Sequence, residues 1–206
     1  MKGEITMKKK ITLVLATLAC ALVLVVGSIA GTIAYLTSTT DTVTNTFTVG
    51  NVKITLNEAK VTEYGVKDGD TRVTENTYKL IPGHTYIKDP TVHVEKGSEQ
   101  CYVFVKVVDD IAAIQDATTL ADQLTANGWT ALSGVDNVYY YNTIVDARTA
   151  DNHIDLKVFE NFKILPDANV AVYANKTITV TAYAIQADGF DTAAAAWAAA
   201  PSNWSN

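Results

Sequence analysis

Cys101-Tyr-Val-Phe-Val-Lys-Val-Val108 decides the fold. Apart from Lys106 the run is built of apolar, mostly β-branched or aromatic side chains, and it is apolar on both faces of an extended chain. Such a strand belongs in the middle of a sheet with other structure covering each side. A second run, Lys176 to Gln186, alternates Ile178, Val180, Ala182 and Ala184 with Thr177, Thr179, Thr181 and Tyr183, the period of two expected of a half-covered strand.

Outward from Cys101 toward the N-terminus, Lys96 to Glu99 reads as a turn and Thr91 to Glu95 as a strand through Val92 and Val94. Lys88-Asp89-Pro90 excludes helix, and Ile81-Pro82-Gly83 offers the Pro and Gly of a type II turn. Thr71 to Leu80 reads as a weaker strand region and Gly65 to Asp70 as a polar turn. Asn51 to Glu58 is a strand with Val52, Ile54 and Leu56 on one face.

Toward the C-terminus, Thr119 caps a short helix with Asp122 in its first turn, Leu120 and Leu124 share its face, and Gly128 ends it. Trp129 to Leu132 and Val138 to Asn142 form a hairpin around Ser133 to Asn137. Ile144 to His153 is loop, Leu156 to Ile164 a strand or strand pair, and Val170 to Tyr173 a short apolar segment. Thr192 caps an Ala-rich helix to Ala199, Pro201 stops it, and the tail from Ser202 to Asn206 is expected to fray. Short strands with turn chemistry between them and two small helices predict an all-β, antiparallel sandwich.

The start of the chain has a different character. Lys8-Lys9-Lys10 precedes an apolar run from Ile11 to Val26, and no charged side chain occurs between Lys10 and Asp41. This is the pattern of a secretory signal helix, with small residues collecting at Gly27, Ser28, Ala30, Gly31 and Ala34. Cleavage is expected between Ala34 and Tyr35, because signal peptidase requires small side chains before the bond; a retained anchor is the alternative. The expected organisation is therefore a signal peptide over 1–34, an N-terminal strand segment over 35–50 and a β-sandwich domain over 51–206.

Within 35–50 every even position from Thr40 to Thr48 is Thr, while Val43, Phe47 and Val49 fall on the opposite face with Asp41 and Asn45. After Gly50 the apolar residues move to even positions, so the register slips by one and Gly50 is read as a bulge, bend or hinge. Two ordinary strands joined by a turn explain the pattern. So does a strand that leaves its own domain, pivoting at Gly50 and donating Val43, Phe47 and Val49 to a neighbour.

The 206 residues carry 16 basic and 22 acidic groups, and removal of residues 1–34 leaves 12 and 21, a net charge of −9. That balance argues against nucleic acid and anionic membrane as partners, leaving membrane contact only through an uncleaved signal segment. Cys20 and Cys101 are the two cysteines, one in the signal and one in the domain, so no internal disulfide is expected after processing.

Catalytic patterns are missing. There is no Gly-rich phosphate loop, no HExxH and no CxxC, and Cys101 reads as a buried inert thiol. His84, His93 and His153 are the histidines; the first two lie near Asp89, but surface or turn histidines explain them more simply than a metal. Asp68 with Asp70, and Asp188 with Asp191, are short of an EF-hand loop and read as polar turns. No catalytic residue, metal site or cofactor is expected.

Gly31-Thr-Ile-Ala-Tyr-Leu-Thr37 and Asn45-Thr-Phe-Thr-Val-Gly-Asn-Val-Lys-Ile54 resemble the TasA/camelysin family of exported Gram-positive proteins, whose signal peptides are cut by a SipW-type signal peptidase. The likeness continues through Ile81-Pro-Gly83 and Val180 to Phe190. The resemblance implies a jelly-roll-like sandwich, secretion to the extracellular space or cell surface, and assembly into biofilm matrix fibres. It also offers a cell-surface metallopeptidase, for which no zinc motif is present.

The leading expectation is a non-enzymatic fibre subunit that meets a signal peptidase during export and then self-associates head-to-tail into filaments, with an accessory matrix protein as a further partner. A wall-surface adhesin or carbohydrate-binding sandwich is the third alternative. Its expected wall-sorting signal is not found where the chain ends in Trp204-Ser-Asn206, although Tyr139 to Tyr141 offer rings that stack on sugars.

Overall fold

Every strand pairing among the described residues is antiparallel in the computed structural model, which describes residues 50–116 and 119–204. In chain order the strands are β1 (Ile54–Val61), β2 (Lys67–Val73), β3 (Thr85–Ile87), β4 (Thr91–Val94) and β5 (Cys101–Asp109). They continue as β6 (Trp129–Ala131), β7 (Val138–Tyr141), β8 (Ile154–Lys157), β9 (Asn161–Lys163) and β10 (Ile178–Gln186). One sheet has the order β2-β1-β4-β8, a second β10-β5-β7-β6, and β3 pairs with β9 in a small ribbon. Two short α-helices, α1 (Leu120–Ala126) and α2 (Ala193–Ala198), and 3-10 turns at Ala112–Ile114, Val170–Tyr173 and Ser202–Trp204 complete the regular structure of the described residues, in which no helix is long and apolar enough to cross a membrane.

The fold class follows from β5. Its residues Val103, Val105 and Val107 turn to the larger core, where they meet Val92 and Val94 of β4 and Leu156 of β8. Tyr102 and Phe104 turn the other way, onto Leu132, Val138, Ala193 and Ala196. Both faces are therefore covered, one by the other sheet and one by the C-terminal helix. At roughly 1.5–3 kcal/mol per buried side chain, this strand alone supplies a large part of the apolar stabilisation. Val52, Ile54 and Leu56 also face the larger core, as their spacing predicts.

The helix reading holds in detail. Thr119 Oγ1 accepts from Asp122 N–H at 3.2 Å while Asp122 Oδ2 accepts from Thr119 N–H at 3.0 Å, a reciprocal cap. Thr192 caps α2 through Ala195 N–H at 3.1 Å. The Ile81 to His84 turn forms as well, His84 N–H donating to Ile81 O at 3.2 Å.

Three local expectations are corrected. The polar turn does not extend to Asp70: the reversal lies at Thr62 to Gly65, and Lys67 already begins β2, paired with Val61. Gly65 is required there, because its φ is +69° and a Cβ would lie 2.7 Å from Tyr86 Cα. Thr71 to Leu80 is strand only as far as Val73. Beyond it the side chain of Asn76 stands in for a partner strand, accepting from Val61 N–H at 3.0 Å and donating to Ala59 O at 2.9 Å.

Leu156 to Ile164 takes the strand-pair form of its two readings, with β8 in one sheet and β9 in the ribbon. The tail does not fray before Trp204, whose ring packs 4.9 Å from Tyr183 and 5.6 Å from Trp197. The expected signal peptide over 1–34 and the expected strand segment up to Val49 lie outside the described residues.

Candidate functional site

One flank of the two-sheet body is stitched shut. Gln123 of α1 donates to Asn161 O at 2.8 Å and accepts from Glu160 N–H at 2.9 Å, and Asn127 donates to Val158 O at 3.2 Å. The opposite flank, between β1 and β10, is different.

β10 is the last strand of its sheet, paired along its whole length with β5 from Ile178↔Asp109 to Gln186↔Cys101. Asp110 N–H donates to Thr177 O at 3.0 Å and Ala187 N–H to Gln100 O at 2.7 Å. Those bonds fix the phase of the ladder: odd-numbered residues bond to β5, and even-numbered residues turn their N–H and C=O to the other edge. No strand among the described residues pairs with that edge.

The same even-numbered residues, Ile178, Val180, Ala182 and Ala184, aim their side chains at the larger core and are only half-buried. Facing them across the flank are Ile54 and Leu56, also half-buried. An open row of backbone donors and acceptors thus runs beside an incompletely covered core. At one end lies a cleft of about 1030 Å³ between β1, the segment from Val73 to Leu80 and the start of β10. At the other end, Gly50 to Val52 lie against Ala184 to Gln186 and Phe190.

The cleft has one strongly polar wall. Glu58, 4% exposed, accepts from Lys88 Nζ at 2.7 Å and from Asn76 Nδ2 at 2.9 Å, so its charge is compensated. Burial first, then the Glu58 and Asp89 charges, hold the Tyr78 hydroxyl far above its ordinary range, and it remains neutral while donating to Ile87 O at 3.1 Å. The residues lining the cleft include no His, Cys or Asp. What the flank offers is hydrogen bonding for an extended backbone and an apolar slot for alternate side chains.

Of the residues singled out in the sequence, Ala34, Tyr35, Val43, Phe47 and Val49 lie outside the described residues. Gly50 is the first described residue. A Cβ there would lie 2.7 Å from Glu99 Cγ, so the chain enters the domain by a close approach rather than a left-handed turn. Immediately after it the chain is tied down, Asn51 O accepting from Glu99 N–H at 3.0 Å and Lys53 N–H donating to Ser98 Oγ at 3.1 Å.

Cys101 is fully buried, and burial reinforced by the Asp146 charge raises its thiol to about 11. Asp68 and Asp70 each pair with a lysine, Lys60 at 2.8 Å and Lys67 at 2.9 Å. Tyr139 and Tyr141 pack on the larger core and Tyr140 on the smaller, so the three rings divide between the two faces of β7.

The histidines are distributed otherwise than their spacing suggests. His84 Nε2 bonds Tyr64 O at 2.8 Å and does not join His93. His93 meets His153 and Asp155, a grouping the sequence reading missed. The available signal was His153-x-Asp155, which puts both side chains on one face of a strand end; nothing in the sequence told which residue stands across from them.

No protein-family model, curated protein or solved structure matches this chain.

Proposed function

We propose that this protein is a secreted structural subunit of an extracellular fibre of the biofilm-matrix kind, exported by a Gram-positive cell and built on a jelly-roll-like sandwich. Signal peptidase cuts between Ala34 and Tyr35, and residues 35–49 of one copy then lie along the free edge of β10 in the next. The observation that supports this reading is the half-covered flank, where β10 presents a backbone edge that is unpaired among the described residues and a row of incompletely buried apolar side chains.

The chemistry of the two pieces is complementary. Val43, Phe47 and Val49 form an alternating apolar face, and each supplies roughly 1.5–3 kcal/mol on burial before ordering costs are deducted. Backbone pairing along β10 adds direction and register, the mode of strand addition. Because the donor and acceptor are different surfaces, the contact is head-to-tail and propagates. Gly50 is the pivot, placed just before the anchored Asn51.

The experiment has two parts. Amino-terminal sequencing of the secreted protein is expected to start at Tyr35; a chain that still carries Lys8 to Lys10 is an anchored protein. Deletion of residues 35–49 from the mature chain is expected to leave a folded, soluble monomer that forms no filaments under the electron microscope. A deletion that unfolds the monomer assigns the strand to its own core and removes the mechanism. Mature protein that never forms filaments removes the fibre reading itself.

A further inference from the structure

The grouping of His93, His153 and Asp155 lies on the outer face of the β2-β1-β4-β8 sheet. His93 and Asp155 are cross-strand partners on β4 and β8, while Val92, Val94 and Leu156 from the same strands point inward. His93 Nδ1 is 2.6 Å from Asp155 Oδ1, and His153 Nε2 is 3.1 Å from the same oxygen. The two imidazole rings meet edge to face with centroids 4.9 Å apart.

The hydrogen bonding behind His93 fixes which of its nitrogens carries a proton. Asn57 Oδ1 lies 2.9 Å from His93 Nε2 and also accepts from Arg72 Nε. A guanidinium only donates, so the Asn57 atom facing it is the oxygen, and His93 Nε2 must donate to that oxygen too. In the neutral ring the lone pair is then on Nδ1, aimed at a carboxylate oxygen. Two electron-rich atoms at that distance call for a positive species shared with them, and His153 Nε2 converges on the same point.

We propose that His93 Nδ1, His153 Nε2 and the Asp155 carboxylate bind one divalent transition-metal ion, zinc by the character of the donors. Two imidazoles and one carboxylate are a common zinc set, and they leave a fourth position to water. The histidine that is held most firmly is the buried one, at 8% exposure, and Asn57 selects its ligating tautomer as an outer-shell partner does at such sites. His153 and Asp155 have side chains 49% and 58% exposed, so the ion has an entry path. Ligand atoms on a tetrahedron with bonds near 2.0–2.1 Å stand about 3.3 Å apart, and rotation of the exposed Asp155 opens the shorter contact to that spacing. The ion joins β4 to β8 and to the loop before it, which makes it a clamp on the sheet. This site is separate in kind from strand donation, and its failure leaves the fibre reading untouched.

The test uses the mature chain without a histidine tag, stripped of metal with a chelator and dialysed. Calorimetric titration with zinc chloride is expected to show one saturable site per chain, and cobalt(II) to give the intense visible bands of a tetrahedral ion. At zinc 100-fold above its Kd the unfolding temperature should rise by about 5–10 °C. Asn57→Ala should weaken binding by about 10–100-fold. The double change His153→Ala with Asp155→Asn alters only exposed side chains, so the domain should fold, and it should abolish binding, the cobalt bands and the thermal shift. Absence of a one-to-one site, or equal affinity in the double variant, overturns the proposal and leaves His93 as a protonated partner of Asp155.

Discussion

The indole Nε1–H of Trp129 donates to the backbone carbonyl of Lys157 at 2.8 Å, and by that bond the last strand of one sheet is tied to the last strand of the other. Trp129 is fully buried and its ring also packs edge-on against Tyr141, with centroids 5.3 Å apart. The flank between β6 and β8 is thereby closed with both apolar area and a satisfied polar group. β10, at the far end of its sheet, has no counterpart to Trp129 among the described residues. The asymmetry gives the domain one sealed side and one on which no described strand pairs.

Trp129→Phe keeps most of the apolar bulk but leaves the Lys157 carbonyl without its donor. The loss is expected to be about 1–3 kcal/mol, visible as a lower urea midpoint with an unchanged slope. A variant as stable as the wild type would show that the bond contributes nothing to closure.

Ala182→Pro tests the free edge. Ala182 turns its backbone N–H away from β5, so proline there removes no bond of the ladder and proline is tolerated on such an edge. Filament formation should fail while the monomer keeps its circular dichroism and thermal transition. Normal filaments from this variant would exclude β10 as the acceptor.

Asp109 gives a pH dependence of known sign. Burial, which outweighs its bonds from Ile111 N–H and Gln115, raises its carboxyl above the ordinary 3.8. A raised carboxyl favours the folded state below the unfolded value, and that contribution is lost as pH rises through the folded value. Wild-type stability relative to Asp109→Asn should therefore decline across this interval as pH increases. Chemical denaturation of both proteins at a series of acidic pH values measures it, and parallel curves would contradict the shift.

Cys101 should behave as a packing residue. With its thiol raised to about 11 and no exposed surface, it should resist iodoacetamide at pH 8 in the native state and react fully after denaturation. Rapid labelling of native protein would mean that the start of β5 opens on the time scale of the reaction.

What the sequence determined alone is what short-range periodicity can carry. The two-faced apolar run from Cys101 to Val108, the inward set of Val52, Ile54 and Leu56, and the caps at Thr119 and Thr192 each depend on neighbours a few residues away, and all took the predicted form. β2 escaped because a polar edge strand exposed on both faces has no alternation to read. Leu156 to Ile164 stayed open between one strand and two because its apolar spacing does not record that β8 and β9 enter different sheets.

Only tertiary pairing set the strand order, left β10 last in its sheet among the described residues, and brought His93 within 2.6 Å of Asp155, a residue 62 positions further along the chain. Register between distant strands depends on which complete set of apolar faces packs best together. That is a property of the whole core, and no single stretch of the chain encodes it.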